Sequence, residues 1–312
     1  GKGIDTVSYA DAAQGVRVDL GLGLAFHESL PVGVGGALDG KVTRQAEPGD
    51  GLGEIVEDAR RVIQWKDTLT GFEQVEGSAH DDTLVGDAAN NKFIGSLGHD
   101  TIIGRGGTNT LTYANVIREK LTDTGFYIDL ADSLSQTDSP DGYLVHRVTA
   151  VTEVIGSIYN DVIVGNRNAD NTLAGHAGDD RLEGGAANDT YVFDLGDDHD
   201  TIASNGAGTD TLRFTDGIDH DRLHFSRTGA DLVIDIIGTD DAVTVENWFD
   251  TAADRTLDTI ETGDDYRLVK KDVAKLVEVM AGFAPEADGA TRLTDTQRQQ
   301  VAVYVAGPSG GS

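Results

Sequence analysis

The chain has 312 residues and no cysteine, and its 54 Asp and Glu against 24 Lys and Arg give a formal net charge of −30. This charge disfavours nucleic acid as a partner, and the absence of cysteine excludes disulfides and thiolate metal sites. Asp provides 41 of the acidic residues and Gly occurs 40 times. Both residue types favour turns over helices. No apolar run approaches the ~18 residues of a membrane span, so we expect none.

The first residues, Gly1 to Tyr9, do not form a signal peptide, because they lack a basic segment followed by an apolar one. They are similar to the inside of the repeats that follow, with Asp5 at an equivalent position. We therefore expect the chain to be part of a larger protein.

Four nonapeptides run without a gap from Gly77. They are GSAHDDTLV (77–85), GDAANNKFI (86–94), GSLGHDTII (95–103) and GRGGTNTLT (104–112). Each begins with Gly and has Asp or Asn at its sixth position and an apolar residue at its eighth. The sixth-position residues are Asp82, Asn91, Asp100 and Asn109.

A second block repeats the pattern. It consists of GSIYNDVIV (156–164), the ten-residue GNRNADNTLA (165–174), GHAGDDRLE (175–183) and GGAANDTYV (184–192). The residues equivalent to the sixth position are Asp161, Asn171, Asp180 and Asp189. Partial copies contain Asp200 and Asp210.

The repeat predicts a solenoid in which six residues form a turn and three form a short strand, with the eighth side chain pointing inward. Stacking brings the sixth-position carboxylates of neighbouring turns to about 4.8 Å, the spacing of adjacent strands. Like charges at this distance repel unless a cation lies between them, and carboxylate and carbonyl oxygens are the ligands that Ca²⁺ prefers. The alternative is that Asp and Asn only form Asx turns.

The pattern resembles the Gly-Gly-x-Gly-x-Asp-x-U-x repeat of the repeats-in-toxin (RTX) family, which binds calcium in a parallel β-helix. The resemblance implies several Ca²⁺ ions between stacked turns, held by sixth-position Asp side chains and turn carbonyls, with acidic fifth-position residues contributing. The implied metal ligands are Asp5, Asp81, Asp82, Asn91, Asp100, Asn109, Asp161, Asn171, Asp179, Asp180, Asp189, Asp200 and Asp210. Because three of the full repeats have Asn at the sixth position and only 184–185 keeps the doubled glycine, we expect some sites to be weak or empty.

The predicted fold is all-β: a parallel β-roll or β-helix solenoid in two repeat blocks, with a β-rich cap and short C-terminal helices. The flank at 1–21 is similar to 106–132, which indicates an internal duplication. The expected segments are a flank and insertion (1–76), the first repeat block (77–112), a second flank and insertion (113–155), the second repeat block (156–215), a β cap similar to the domain that often follows haemolysin-type repeats (216–265), and the C-terminal helices (266–312).

Alternating residues predict cap strands at 223–227, 232–236 and 242–249, with Trp248 and Phe249 covering the last rung of the solenoid. Apolar spacing predicts a helix from Val269 to Met280, and a capping box predicts a second helix that begins near Thr294. In RTX proteins an uncleaved export signal lies at the C-terminus, so the resemblance implies that this end contacts the type I secretion machinery. Packing of the helices against the cap is the alternative.

We expect no enzyme activity. A metalloprotease HExxH motif is absent, and His220 and His224 flank a predicted strand start rather than a metal site. The resemblance implies a calcium-binding module of a secreted protein, extracellular or at the cell surface, that is exported unfolded and folds on Ca²⁺. One alternative is a module that recognises a polysaccharide or a cell surface, and another is a tether with no ligand.

Overall fold

The computed structural model describes residues 4–12, 14–27, 67–69, 71–116, 124–130, 144–203, 208–215, 217–250, 257–283 and 290–305. Most of the two predicted insertions and the C-terminal tail, where an export signal is expected, lie outside the described residues. The chain divides into two compact units, Gly1–Arg118 with Ile128–Glu153 and Glu119–Tyr127 with Val154–Ser312. Each unit contains one repeat block.

Most repeat strands have only three residues, because the turn takes the other six of each nonapeptide. The first strands are β1 (Thr6–Ser8), β2 (Val16–Asp19), β3 (Leu24–His27), β4 (Asp67–Thr68), β5 (Gln74–Glu76), β6 (Thr83–Val85), β7 (Lys92–Ile94), β8 (Thr101–Ile103) and β9 (Thr110–Thr112). The next are β10 (Thr124–Asp129), β11 (Leu144–Thr149), β12 (Glu153–Ile155), β13 (Asn160–Val164), β14 (Thr172–Ala174), β15 (Arg181–Glu183), β16 (Thr190–Phe193), β17 (His199–Ile202) and β18 (Thr211–Phe214). The last elements are β19 (Leu223–Thr228), β20 (Asp231–Ile236), β21 (Ala242–Val245), β22 (Thr259–Glu261), β23 (Arg267–Val269), α1 (Lys270–Met280) and α2 (Asp295–Val301).

In the first unit, consecutive repeat strands alternate between two sheets. One sheet has the order β1-β5-β7-β9 and the other the order β11-β8-β6-β2-β3-β4. The repeat strands are parallel, with Leu84 in register with Ile102 and Phe93 with Leu111. Turns that stack on each other are therefore two repeats apart along the chain. Consecutive repeats, which the sequence predicts to be stacked neighbours, lie on opposite sheets instead.

The second unit follows the same rule. Its sheets have the orders β12-β14-β16-β18-β22-β23 and β19-β20-β21-β17-β15-β13-β10. The repeat strands are again parallel, whereas β19, β20 and β21 pair antiparallel at one edge, as do β22 and β23. The predicted fold class is therefore confirmed: mostly parallel β-sheets in two layers, with short helices near the C-terminus.

The eighth-position side chains form the core between the layers, as the repeat predicts. None is more than 2% exposed, and they are Leu84, Phe93, Ile102, Leu111, Ile163, Leu173, Leu182 and Tyr191. Tyr191 is the only one with a polar group, and its hydroxyl accepts a hydrogen bond from the Gly184 N–H at 2.9 Å. Each eighth-position residue stacks on its equivalent two repeats away, so the repeats contribute continuous apolar rows to the core.

The C-terminal elements agree with the predicted helices and correct one strand. Helix α1 buries Val273, Leu276 and Met280, and Thr294 caps α2 through the predicted capping box with Gln297. The third cap strand ends at Val245, earlier than the predicted residue 249. The chain turns there, because Asn247 has a left-handed φ of 56° and the Asp250 N–H donates to the Asn247 carbonyl at 3.0 Å.

Candidate metal sites

The sixth-position residues of the repeats all lie buried in the turns. Each is at most 6% exposed, and with the partial copies they are Asp5, Asp82, Asn91, Asp100, Asn109, Asp161, Asn171, Asp180, Asp189, Asp200 and Asp210. The fifth-position residues Asp81 and Asp179 are exposed. The structure therefore separates the predicted ligands into a buried majority and two surface carboxylates.

The buried side chains form columns in which each carboxylate or amide oxygen accepts a backbone hydrogen bond from the turn stacked before it. In the second unit, the Asp161 N–H donates to Asp180 Oδ1 at 2.6 Å, and the Asp180 N–H donates to Asp200 Oδ1 at 3.1 Å. A second column on the other sheet has the same hydrogen bonds between Asn171, Asp189 and Asp210. These columns fix one oxygen of each carboxylate and hold the turns in register.

The fifth-position side chains form a ladder that runs in the opposite direction. The His99 N–H donates to Asp81 Oδ1 at 2.9 Å, and the His199 N–H donates to Asp179 Oδ1 at 3.2 Å. Each of these carboxylates therefore accepts from the turn stacked after it, at the surface. Their hydrogen-bonding role is to align successive turns.

Both repeat blocks begin with the same contact from the flank that precedes them. The Val16 N–H in β2 donates to Asp82 Oδ1 at 2.7 Å, and the Phe126 N–H in β10 donates to Asp161 Oδ1 at 2.5 Å. The internal duplication predicted from the flanks thus extends to the hydrogen bond that closes the first turn of each block.

The first-position glycine of a repeat leaves room for the sixth-position side chain. A Cβ built on Gly175 would lie 2.7 Å from the Cβ and Cγ atoms of Asp180 and closer still to its Oδ2. Gly178, the fourth residue of the same repeat, has a φ of 118° and turns the chain beneath the Tyr159 backbone. The recurring spacing of glycine and Asp within the repeats is therefore a packing requirement.

Burial and crowding of like charges disfavour the ionised form of the second-unit carboxylates. Burial raises the pKa of Asp180 to about 10, and the negative charges of Asp200 and Asp161 add to the effect. Burial likewise raises the pKa of Asp200 to about 9 and that of Asp197, whose charge lies near both, to about 7. A cation is the partner that would allow these groups to ionise.

Three carboxylate oxygens of the second unit have no hydrogen-bond partner although they are buried. They are the Oδ2 atoms of Asp180, Asp189 and Asp200. Within the described ranges, no three His, Asp or Glu side chains converge so as to hold a metal by themselves. The donor set for a metal therefore consists of single carboxylate oxygens and turn carbonyls, all of them hard oxygen ligands that fit Ca²⁺.

Two buried aspartates of the first unit lie against residues that the sequence patterns did not reveal. Arg105 forms a two-pronged ion pair with the buried Asp19, at 2.8 and 2.7 Å. His146 Nδ1 lies 3.3 Å from Asp100 Oδ2, and both side chains are fully buried. The residues of each pair are far apart in sequence, so no local spacing could have indicated them.

Two family models match the chain. The RTX calcium-binding nonapeptide repeat matches residues 76–111 and 167–200 in four copies, and these ranges contain most of the buried carboxylates. The chain carries RTX repeats. RTX repeats bind calcium ions, and several copies imply several ions. The predicted resemblance and cofactor are therefore confirmed.

The second match lies C-terminal to the RTX matches. The haemolysin-type calcium binding protein related domain matches residues 231–264, a range that includes β20, β21 and β22. This agrees with the predicted resemblance of the β cap. The sequence has no significant match among curated proteins. Of the described helices, none has the length and apolar character needed to cross a membrane.

Proposed function

We propose that this RTX module folds on binding calcium outside the cell and thereby supports the folding of a larger secreted protein. The observation that carries the proposal is the set of buried, unpartnered Oδ2 atoms on Asp180, Asp189 and Asp200. A buried carboxylate without a partner opposes folding strongly. A bound cation changes the same group into a stabilising one.

The overall charge supports the same role. At −30, the unfolded chain repels itself, and the ions neutralise carboxylates that folding brings together. Because the stacked turns that form the sites do not exist in the unfolded chain, the binding free energy of calcium becomes folding free energy. The module is then incompletely folded where calcium is scarce and folds fully where it is abundant.

RTX repeats are typical of secreted bacterial proteins. We extend this to the present chain and propose export through a type I secretion system, in which the C-terminal segment contacts the machinery. The role of the module is structural, with calcium as a folding ligand and without a catalytic reaction of its own.

The direct test is a far-UV circular dichroism titration of the metal-stripped chain with calcium. We expect a cooperative increase in β-sheet signal with calcium and none with magnesium, because magnesium requires a smaller, more regular octahedral site. Asp180→Ala should raise the calcium midpoint, whereas Asp240→Ala, which removes an exposed carboxylate, should leave it unchanged.

A stripped chain that is already fully folded and does not respond to calcium would contradict the proposal. The buried residues would then serve only as turn formers, and binding to polysaccharide or to a cell surface would become the function to test.

A further inference from the structure

Asparagine at the sixth position uses its side-chain amide to bind turn carbonyls in two turns. The Asn109 side-chain NH₂ donates to the Gly106 and Ala150 carbonyls, both at 2.9 Å. The Asn171 NH₂ donates to the Ala169 carbonyl at 2.8 Å and to the Gly184 carbonyl at 3.1 Å. These turn carbonyls are the oxygens that a calcium ion would require, and the amide hydrogens already satisfy them.

Serine at the second position closes two other turns. The Ser78 N–H and hydroxyl donate to the two oxygens of Asp82 at 2.6 and 2.9 Å. The Ser157 N–H donates to Asp161 Oδ2 at 2.5 Å, and its hydroxyl lies 3.0 Å from the same oxygen. In both turns, the flank N–H described above donates to Oδ1, so both oxygens of each carboxylate accept hydrogen bonds from protein groups.

The remaining turns of the first block are closed in related ways. Ser96 donates its hydroxyl to Asp100 Oδ2 at 3.1 Å, the oxygen that also faces His146. Asn91 Oδ1 accepts a hydrogen bond from the Asp87 N–H at 2.8 Å. Its buried NH₂ group is a hydrogen-bond donor and therefore cannot ligate a cation. No sixth-position carboxylate oxygen among residues 77–112 is buried without a partner.

The open turns belong to the second block. Asp180, Asp189 and Asp200 are each at most 2% exposed, and each uses Oδ1 in the backbone column while Oδ2 has no partner. Their repeats have no serine at the second position, where His176, Gly185 and Gly196 occur instead.

We propose that calcium enters the open turns at Asp180, Asp189 and Asp200, and that the turns closed by serine or asparagine keep their shape without an ion. This inference rests on the proposed calcium-dependent function and assigns calcium binding to only some of the turns. A closed turn offers calcium no free carboxylate oxygen, and the ion would have to displace existing hydrogen bonds. Gly-Ser at the start of a repeat is thus a mark of a turn that closes itself, and the three open turns all lack it.

The test is the calcium stoichiometry of the full chain, measured by isothermal titration calorimetry and by metal analysis after dialysis. Asp180→Asn and Asp82→Asn form a matched pair, since both residues are buried at the same repeat position. We expect Asp180→Asn to lose at least one bound ion and Asp82→Asn to keep the wild-type number. Equal losses in both variants would overturn the proposal.

A gain of binding provides a second test that does not depend on a damaged variant. Asn171→Asp replaces the amide donor with a carboxylate beside Asp189, and we expect it to bind one more ion than the wild type. Asn109→Asp, which removes the donor to the Gly106 and Ala150 carbonyls, should open that turn in the same way. Unchanged stoichiometry in both variants would overturn the proposal, whereas a wild-type chain that binds no calcium at millimolar concentration would refute the proposed function itself.

Discussion

Gly175→Ala tests whether the glycine that begins a repeat is required by the carboxylate packed over it. The new Cβ would overlap the Asp180 side chain, with 2.7 Å to its Cγ, so the carboxylate must move. Asp180 is 2% exposed and has no free space to move into without losing the 2.6 Å hydrogen bond from the Asp161 N–H.

The magnitude follows from that hydrogen bond. A hydrogen bond to a charged group contributes about 1.5–3 kcal/mol, and the lower entropy of the unfolded alanine chain offsets about 0.4–1 kcal/mol. We therefore expect the free energy of unfolding in saturating calcium to fall by roughly 1–2 kcal/mol. At about 2–4 °C per kcal/mol, the melting temperature should fall by roughly 2–8 °C.

The assay is thermal unfolding followed by circular dichroism in saturating calcium. Gly282→Ala is the matched control, because a Cβ there meets its nearest atom, the Val279 carbonyl oxygen, at an ordinary 3.4 Å. If Gly175→Ala and Gly282→Ala melt at the same temperature, the carboxylate does not depend on that glycine and the packing argument is wrong.

Two further predictions concern ion pairing and pH. Arg105→Ala leaves the buried Asp19 carboxylate without its ion-pair partner, and the free energy of unfolding in urea should fall by about 2–3 kcal/mol. Arg213→Ala, which breaks an exposed pair with Glu261, should lower it by under about 1 kcal/mol. Burial is the main reason that the pKa of Asp210 is raised to about 6 and that of Asp197 to about 7. Their contribution to the stability of the calcium-free chain is therefore present below pH 4 and is lost as pH rises through 6 to 7. The far-UV β-sheet signal of the stripped chain should therefore be larger at pH 5 than at pH 8, whereas calcium affinity should be higher at pH 8, because the ion must displace protons. Equal signals and equal affinities at the two pH values would contradict this.

The nine-residue spacing was sufficient to predict the β-roll and its core. Gly at the first position and an apolar residue at the eighth fix the turn and the inward side chain, and Leu84 and Ile102 are fully buried as expected. The capping box at Thr294 is also a local signal, and the predicted helix begins there. Features decided within one repeat or one helical turn could thus be predicted from sequence.

The state of each turn could not be predicted in the same way. Asp82 and Asp180 occupy the same repeat position. Ser78 and a flank N–H donate to the Asp82 carboxylate, whereas Asp180 has one oxygen without a hydrogen-bond partner. The difference depends on which segment stacks on the turn, and on a serine where the pattern has glycine. The Arg105 and Asp19 pair spans 86 residues and has no counterpart in the repeat at all.

The most direct test of calcium-dependent folding is hydrogen exchange, measured by mass spectrometry on the full chain with calcium and with a chelator. Peptides from 175–203 and 208–212 should exchange rapidly without calcium and become protected when it is added, while peptides from 77–112 should remain protected in both conditions. Equal protection of the 175–203 segment with and without calcium would contradict the account.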